Sequence, residues 1–331
     1  MHDPRREAMA AFLDAAGWGG APAVPLAGDA SFRRYYRLGG NGRSAVLMDA
    51  PPPQEDIGPY VTVAALLREL GFSAPEVLSE DSERGFLLLE DFGDDTYTRL
   101  LGRGANEPAL YALAVDTLVA LHRAAESRGS PEIPPYDLER LLAEAALLVD
   151  WYRPFDRGLR AEYLALWSAV LPDALVSPPT LVLRDYHVDN LMLLPDRPGV
   201  RSCGLLDFQD AVTGPPSYDL VSLLEDARRD VPVGLRRAMT ERYLAAFPTL
   251  DPSAFLRSAA ILAAQRNSKI LGIFTRLWQR DGKRQYLAHT PRVWRLLEAD
   301  LRHPALTPIM RWLDRHLPPE TRHTPDLRSD V

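Results

Sequence analysis

The chain has 331 residues, is 46% hydrophobic and 25% charged, and carries a formal net charge of −7. That length predicts two lobes or domains, because single hydrophobic cores stop growing before it is reached. The acidic balance argues against a general nucleic-acid binder, and the lack of an apolar run of about eighteen residues argues against a membrane span. The first residues, Met1-His2-Asp3-Pro4-Arg5-Arg6-Glu7, lead into an amphipathic segment and do not read as a secretory leader. A single cysteine, Cys203, allows no internal disulfide and suits a reducing compartment, so a cytoplasmic location is expected.

In chain order, helical spacing covers residues 5–16 and stops at Gly17. Alternation over 31–38 and 44–49, around Gly39-Gly40-Asn41-Gly42, predicts a β-hairpin that Pro51-Pro52-Pro53 closes. A helix at 57–70, capped by Gly71, precedes strands at 76–79 and 86–90 on either side of a turn at 81–85. Strands, one helix, then strands predict a small antiparallel sheet with a helix on one face. From Thr96 the spacing turns helical, at 107–125, 138–152 and 160–170. Short strands at 181–183, 191–194 and 204–206 interrupt it, and helices follow at 217–227, 234–246, 252–278, 291–301 and 306–316. The expected fold class is α+β and bilobal: an N-lobe at 1–93 with the sheet and one main helix, and a larger helical C-lobe at 94–331. Glu90-Asp91-Phe92-Gly93 forms the hinge, where an apolar strand running into a turn offers backbone groups to an adenine edge.

The most informative stretch is Leu183-Arg184-Asp185-Tyr186-His187-Val188-Asp189-Asn190, followed by Leu205-Leu206-Asp207-Phe208-Gln209. Asp185 and Asp207 each end a short apolar strand, and Asn190 closes the first loop. Phosphoryl transfer from a nucleotide needs these parts: a carboxylate to orient the attacking hydroxyl, plus an amide oxygen and a second carboxylate for Mg²⁺. Magnesium takes few protein oxygens and leaves the rest of its octahedron to phosphates and water. Asp-x-x-x-x-Asn alone is weak, since both residues form loop-closing turns. The strand context and Arg184 before Asp185 match the kinase H-R-D-x-x-x-x-N loop, with Leu183 in place of its histidine. The candidate assignment is Asp185 as catalytic base, with Asn190 and Asp207 as metal ligands.

Gly28-Asp29-Ala30-Ser31-Phe32-Arg33-Arg34 begins the sheet, where a turn could lay backbone amides, Ser31 and an arginine over phosphates. A strand start with two solvent-facing arginines is the equal alternative. Protein kinases carry a lysine on the second hairpin strand, paired with a helix glutamate. Here Met48 stands near that place, and the chain holds only two lysines, Lys269 and Lys283. Arg33, Arg34 or Arg43 is the expected substitute; Glu55 and Glu69 are the possible helix-borne acids, though without a lysine the usual pair cannot form, and an inactive nucleotide-binding pseudokinase is the competing reading.

With these residues in view, the chain resembles the aminoglycoside phosphotransferase/choline kinase-like family, a small-molecule branch of the protein-kinase fold. The similarity covers most of 20–250, through Leu88-Leu89-Glu90-Asp91-Phe92-Gly93, Leu118-Val119-Ala120-Leu121-His122, the two motifs above and Gly214-Pro215-Pro216-Ser217-Tyr218-Asp219-Leu220. It implies ATP and Mg²⁺ as cofactors, a nucleotide site at Ser31, Phe32, Arg33, Glu90 and Phe92, Asp219 bracing the catalytic loop, and a structural His122. More narrowly, Gly28–Tyr36, 46–51, 223–229, 265–274 and 280–283 are similar to the bacterial cell-wall-recycling sugar kinases, which phosphorylate the anomeric hydroxyl of N-acetylmuramate and N-acetylglucosamine. That branch also lacks the strand lysine.

Charge distribution points to the same acceptor. Residues 251–331 hold fourteen Lys/Arg against eight Asp/Glu, whereas polycationic aminoglycosides call for an acidic pocket. A lactyl carboxylate suits Arg228, Arg266 or Lys269, though each cation taken singly reads better as a solvated surface charge; Glu225 and Asp226 could bind sugar hydroxyls and read equally as exposed helix acids. Rival acceptors are choline, homoserine, a thiosugar or an aminoglycoside. A choline cage would draw on Trp151, Trp167, Trp278, Trp294 and Trp312, which read better as helix packing. The expected partners are an amino sugar and ATP, with a monomeric chain.

Overall fold

The computed structural model describes residues 3–26, 32–40, 42–128 and 133–325. Packing groups them into two compact units, Met1–Thr117 with Val188–Asp210 (unit 1) and Leu118–His187 with Ala211–Val331 (unit 2). The division runs through the loop that carries Asp185 and Asn190.

Unit 1 holds α1 (Pro4–Ala15), β1 (Ala23–Pro25), β2 (Arg34–Gly40), β3 (Arg43–Asp49), α2 (Gly58–Glu69), β4 (Val77–Asp81), β5 (Phe86–Glu90) and α3 (Tyr97–Gly102). The strands form one sheet in the order β1-β2-β3-β5-β4, every pair antiparallel. The β2–β3 register runs from Arg34↔Asp49 to Gly40↔Arg43. On one face Phe12, Leu13 and Trp18 pack with Leu38, Ala45, Leu47, Phe86 and Leu88. Strand alternation sends Met48, Leu87 and Leu89 to the other face, where they are also buried. The expected α+β sheet is present with one strand more than the sequence suggested. The three residues of β1 are too few to alternate, and the strand is held by pairing with β2 and by Ala23 against the cluster.

Further along, β7 (Leu191–Leu193) and β8 (Cys203–Leu205) pair with each other. Cys203 is buried, as its strand position predicts.

Unit 2 is mainly helical. Helix α4 (Glu107–Arg128) runs into it, followed by α5 (Leu138–Leu147) with a wider turn to Tyr152, and α6 (Arg157–Val170). The strands β6 (Thr180–Val182) and β9 (Val212–Gly214) pair antiparallel. Helices α7 (Ser217–Leu224), α8 (Val233–Ala246), α9 (Pro252–Asp281), α10 (Thr290–Asp300) and α11 (Thr307–His316) complete it. The thirty-residue α9 is the spine of the unit, with sixteen of its residues buried. Gly272 lets it approach α5 closely: a Cβ there would sit 2.2 Å from the Leu147 carbonyl oxygen. Trp167, Trp294 and Trp312 are buried against Tyr163, Tyr152 and Phe155, as helix packing predicts. Among the described residues, no helix is long and apolar enough to cross a membrane.

Candidate active site

In unit 1 the β7–β8 ladder sets the geometry. Leu191 pairs with Leu205, and the Leu206 N–H donates to the Asn190 carbonyl at 2.9 Å, one step beyond the strands. Asn190 and Asp207 therefore emerge side by side, with Asn190 Nδ2 3.3 Å from Asp207 Oδ2. Gln209 Nε2 donates to the other carboxylate oxygen at 2.7 Å. Phe208 is fully buried against Tyr60 of α2, ring centroids 4.9 Å apart, which fixes the backbone just past Asp207.

Arg33, just ahead of β2, faces the same carboxylate. Its NH1 lies 3.8 Å from Asp207 Oδ1, and its Nε donates to Glu55 Oε2 at 2.9 Å. Burial works against the Arg33 charge, but the surrounding Tyr35, Glu55, Asp207 and Asp210 outweigh it and raise the guanidinium pKa. Phe32 is exposed, and its backbone N–H donates to Glu55 Oε1. Ser31 lies outside the described residues.

Glu90 and Phe92 occupy the end of β5, where pairing with β3 stops at Glu90. The Glu90 carboxylate turns to Arg197, whose guanidinium sits 4.9 Å above the Phe92 ring. Arg37 of β2 clamps the next residues through Asp91, Asp94 and the Gly93 carbonyl. Beside Glu90, a hollow of about 320 Å³ is lined by Arg68, Gly71, Phe72, Glu76, Arg197 and Arg201.

In unit 2, Asp185 follows β6 on a tight, braced loop. Asp219, fully buried on α7, accepts from the Leu183 N–H at 2.6 Å and the Arg184 N–H at 2.8 Å. Burial pushes the Asp219 carboxyl up to about 7; the two backbone donors oppose that shift and favour the charged form. Arg184 has φ +70°, and Asp207 in unit 1 has φ +56°. Among the described residues these two are the non-glycine positions with positive φ. Such backbone costs on the order of 1–3 kcal/mol and persists where the surroundings over-determine it. The unusual backbone thus falls at the two strand ends that deliver the candidate carboxylates.

The Arg184 guanidinium forms an ion pair with Glu144 of α5, which also receives Lys269 Nζ at 3.1 Å and the Tyr136 hydroxyl. Glu144 is nine-tenths buried; desolvation would raise its pKa, but Lys269 and Arg184 together bring it below the ordinary value. On α7 and beyond, Asn267 Nδ2 bridges Glu225 Oε2 at 3.1 Å and Asp300 Oδ2 at 2.9 Å, while Arg266 NH1 donates to the Glu225 carbonyl. Arg228 is the more exposed cation: its NH1 is 3.4 Å from His187 Nε2, two residues after Asp185, and 3.9 Å from the fully buried Asp226. His122 is buried and bonded to the Tyr243 hydroxyl, a packing role as expected.

Sequence reasoning treated Glu55 as an acid without a partner and passed over Glu144. Glu144 carried a signal: it shares an apolar helical stripe with Leu141, Ala145 and Leu148, all buried. An acid on such a stripe requires a buried cation.

With this geometry in hand, comparison with known proteins is decisive. The model of the "Phosphotransferase enzyme family" matches residues 22–256. The chain belongs to that family. It is 39% identical to a Caulobacter vibrioides N-acetylmuramate/N-acetylglucosamine kinase, over 97% of this chain and 99% of that one. A Pseudomonas aeruginosa kinase of the same name is 42% identical over 89% of each chain. Among solved structures, a choline/ethanolamine kinase family protein from Mesorhizobium loti superposes with a TM-score of 0.64 at 16% identity, covering 94% of this chain and 99% of that one. That similarity establishes the phosphotransferase fold.

Proposed function

We propose that this phosphotransferase moves the γ-phosphoryl group of ATP onto the anomeric hydroxyl of N-acetylmuramate or N-acetylglucosamine, giving the sugar 1-phosphate during cell-wall recycling. The observation that carries the acceptor is the shared name of two relatives at 39% and 42% identity across nearly the whole chain. Asp185, Asn190 and Asp207 support the transfer itself. We assign residues 1–93 to a nucleotide-covering lobe and 94–331 to a catalytic and acceptor lobe, and the working chain to a cytoplasmic monomer.

The adenine edge is assigned to the backbone at Glu90–Phe92, where sheet pairing runs out, and the phosphates to the turn before β2, through Ser31, Phe32 and Arg33. The donor set suits Mg²⁺: an amide and a carboxylate held side by side, without a cluster of three His, Cys, Asp or Glu among the described residues. Such a hard ion asks for few protein oxygens. When bound, it would neutralise charge on the phosphates.

Asp185 accepts the anomeric O–H as a hydrogen bond and aligns that oxygen with the γ-phosphorus. The O–P bond forms as the bridging oxygen departs with ADP, and Asp185 takes the proton. Positioning supplies most of the rate, with proton removal the smaller part. On the acceptor side, Arg228 is the cation best exposed for a lactyl carboxylate. Arg266 and Lys269 are the further candidates for that carboxylate, and Glu225 and Asp226 are assigned to the sugar hydroxyls.

The test is ATP consumption with N-acetylmuramate, N-acetylglucosamine, choline and kanamycin supplied separately, with product identity read by phosphorus NMR. Turnover with an amino sugar and a new anomeric phosphate signal is expected. Turnover confined to choline or kanamycin would overturn the acceptor, and no turnover with any of the four would overturn the activity.

A further inference from the structure

The lysine that grips phosphates in protein kinases has no counterpart on β3. Met48 is buried there opposite Tyr35, and the strand's single cation, Arg43, sits at its far end over the Trp18 ring and beside the Gly17 carbonyl. Arg34 is exposed and pairs in register with Asp49, whose carboxylate is already taken by Arg5 of α1. Of the three arginines near the start of the sheet, Arg33 alone is turned toward acids.

Its surroundings are built. Arg33 and Glu55 side chains are 11% and 10% exposed, so neither is a loose surface charge. Glu55 grips both ends of one short segment, with Oε2 on Arg33 Nε and Oε1 on the Phe32 N–H. This fixes the guanidinium plane from its Nε edge and directs NH1 toward Asp207, at 3.8 Å. That separation is within ion-pair reach but longer than a hydrogen bond. A guanidinium held along one edge presents a planar fork suited to phosphate oxygens.

We propose that Arg33, positioned by Glu55, is the cation that grips the nucleotide's β- and γ-phosphates in place of the strand lysine. This rests on the assignment of unit 1 as the nucleotide site. The ion pair has moved from the strand to the turn before β2, and its acid from a helix to the loop ahead of α2. Glu55 acts through Arg33 as a positioning residue.

The experiment is calorimetric affinity for AMP, ADP and ATP, with and without Mg²⁺, in the parent chain and in Arg33→Met, Arg33→Lys, Glu55→Gln and Glu55→Asp. Thermal unfolding of each variant checks that it folds. In Arg33→Met, affinity should fall little for AMP, several-fold for ADP and at least tenfold for ATP. Arg33→Lys should recover part of that loss. Glu55→Gln should weaken ATP by a smaller factor, and Glu55→Asp should restore it. A folded Arg33→Met chain that binds ATP as the parent does, or that loses AMP and ATP equally, overturns the proposal while leaving the nucleotide site standing. A parent chain that binds none of the three overturns both.

Discussion

In unit 1 a single guanidinium, Arg33, lies between two carboxylates, Glu55 and Asp207. In unit 2 a single carboxylate, Glu144, collects two cations, Arg184 and Lys269. The first arrangement carries an excess of acid, and Asp207 is 26% exposed, which suits a group that must meet a cation and phosphates. The second is closed and nine-tenths buried, which suits a fastening under a strained loop. The Asp207 carboxylate in unit 1 is therefore left open to solvent, whereas the Glu144 cluster in unit 2 is closed on itself.

The sharpest way to break this contrast is to neutralise one acid in each unit. Glu144→Gln leaves two buried cations facing an amide, and should cost about 3–5 kcal/mol. Glu55→Gln leaves one cation, Arg33, with Asp207 still 3.8 Å away, and should cost less, about 1–3 kcal/mol. Urea denaturation midpoints measure both, and equal losses would erase the distinction. A smaller effect is expected from Asp219→Asn, because an amide oxygen cannot serve the Leu183 and Arg184 donors as the carboxylate does. The loss should be about 1.5–3 kcal/mol, together with slower turnover at unchanged ATP affinity. A stable variant with normal turnover would show that Asp219 does not brace the loop.

The mildest test uses pH. Burial pulls the His122 pKa from 6.5 to about 3. The folded chain thus keeps His122 neutral where the unfolded chain protonates it. Its contribution is fully present above pH 6.5 and is lost as pH falls toward 3. Relative to His122→Gln, the parent should lose about 1 kcal/mol more between pH 7 and 5.5. Identical pH dependence in the two chains would place His122 in a more solvated setting than the structure gives it.

The strand ends at Asp185 and Asp207 were legible because an apolar run that stops on an acid is a local pattern. The helices were legible for the same reason, and α9 simply extends three residues past its expected end to Asp281. β9 was missed because Val212–Gly214 has too few residues to alternate and owes its existence to pairing with β6. The positive φ values at Arg184 and Asp207 left no trace, since composition marks such backbone only where glycine or asparagine takes it. Sequence narrowed the candidates for the strand lysine's substitute to three arginines, and the Glu55 and Asp207 contacts that set Arg33 apart are long-range. The ion pair of Lys269 with Glu144, 125 residues away, lies beyond any local pattern.

The account stands most directly on single-turnover phosphoryl transfer to the amino sugar by Asp185→Asn at saturating ATP. If Asp185 orients the attacking hydroxyl, transfer should slow by about 10² to 10⁴-fold while ATP affinity stays near the parent value. Transfer at close to the parental rate would contradict it.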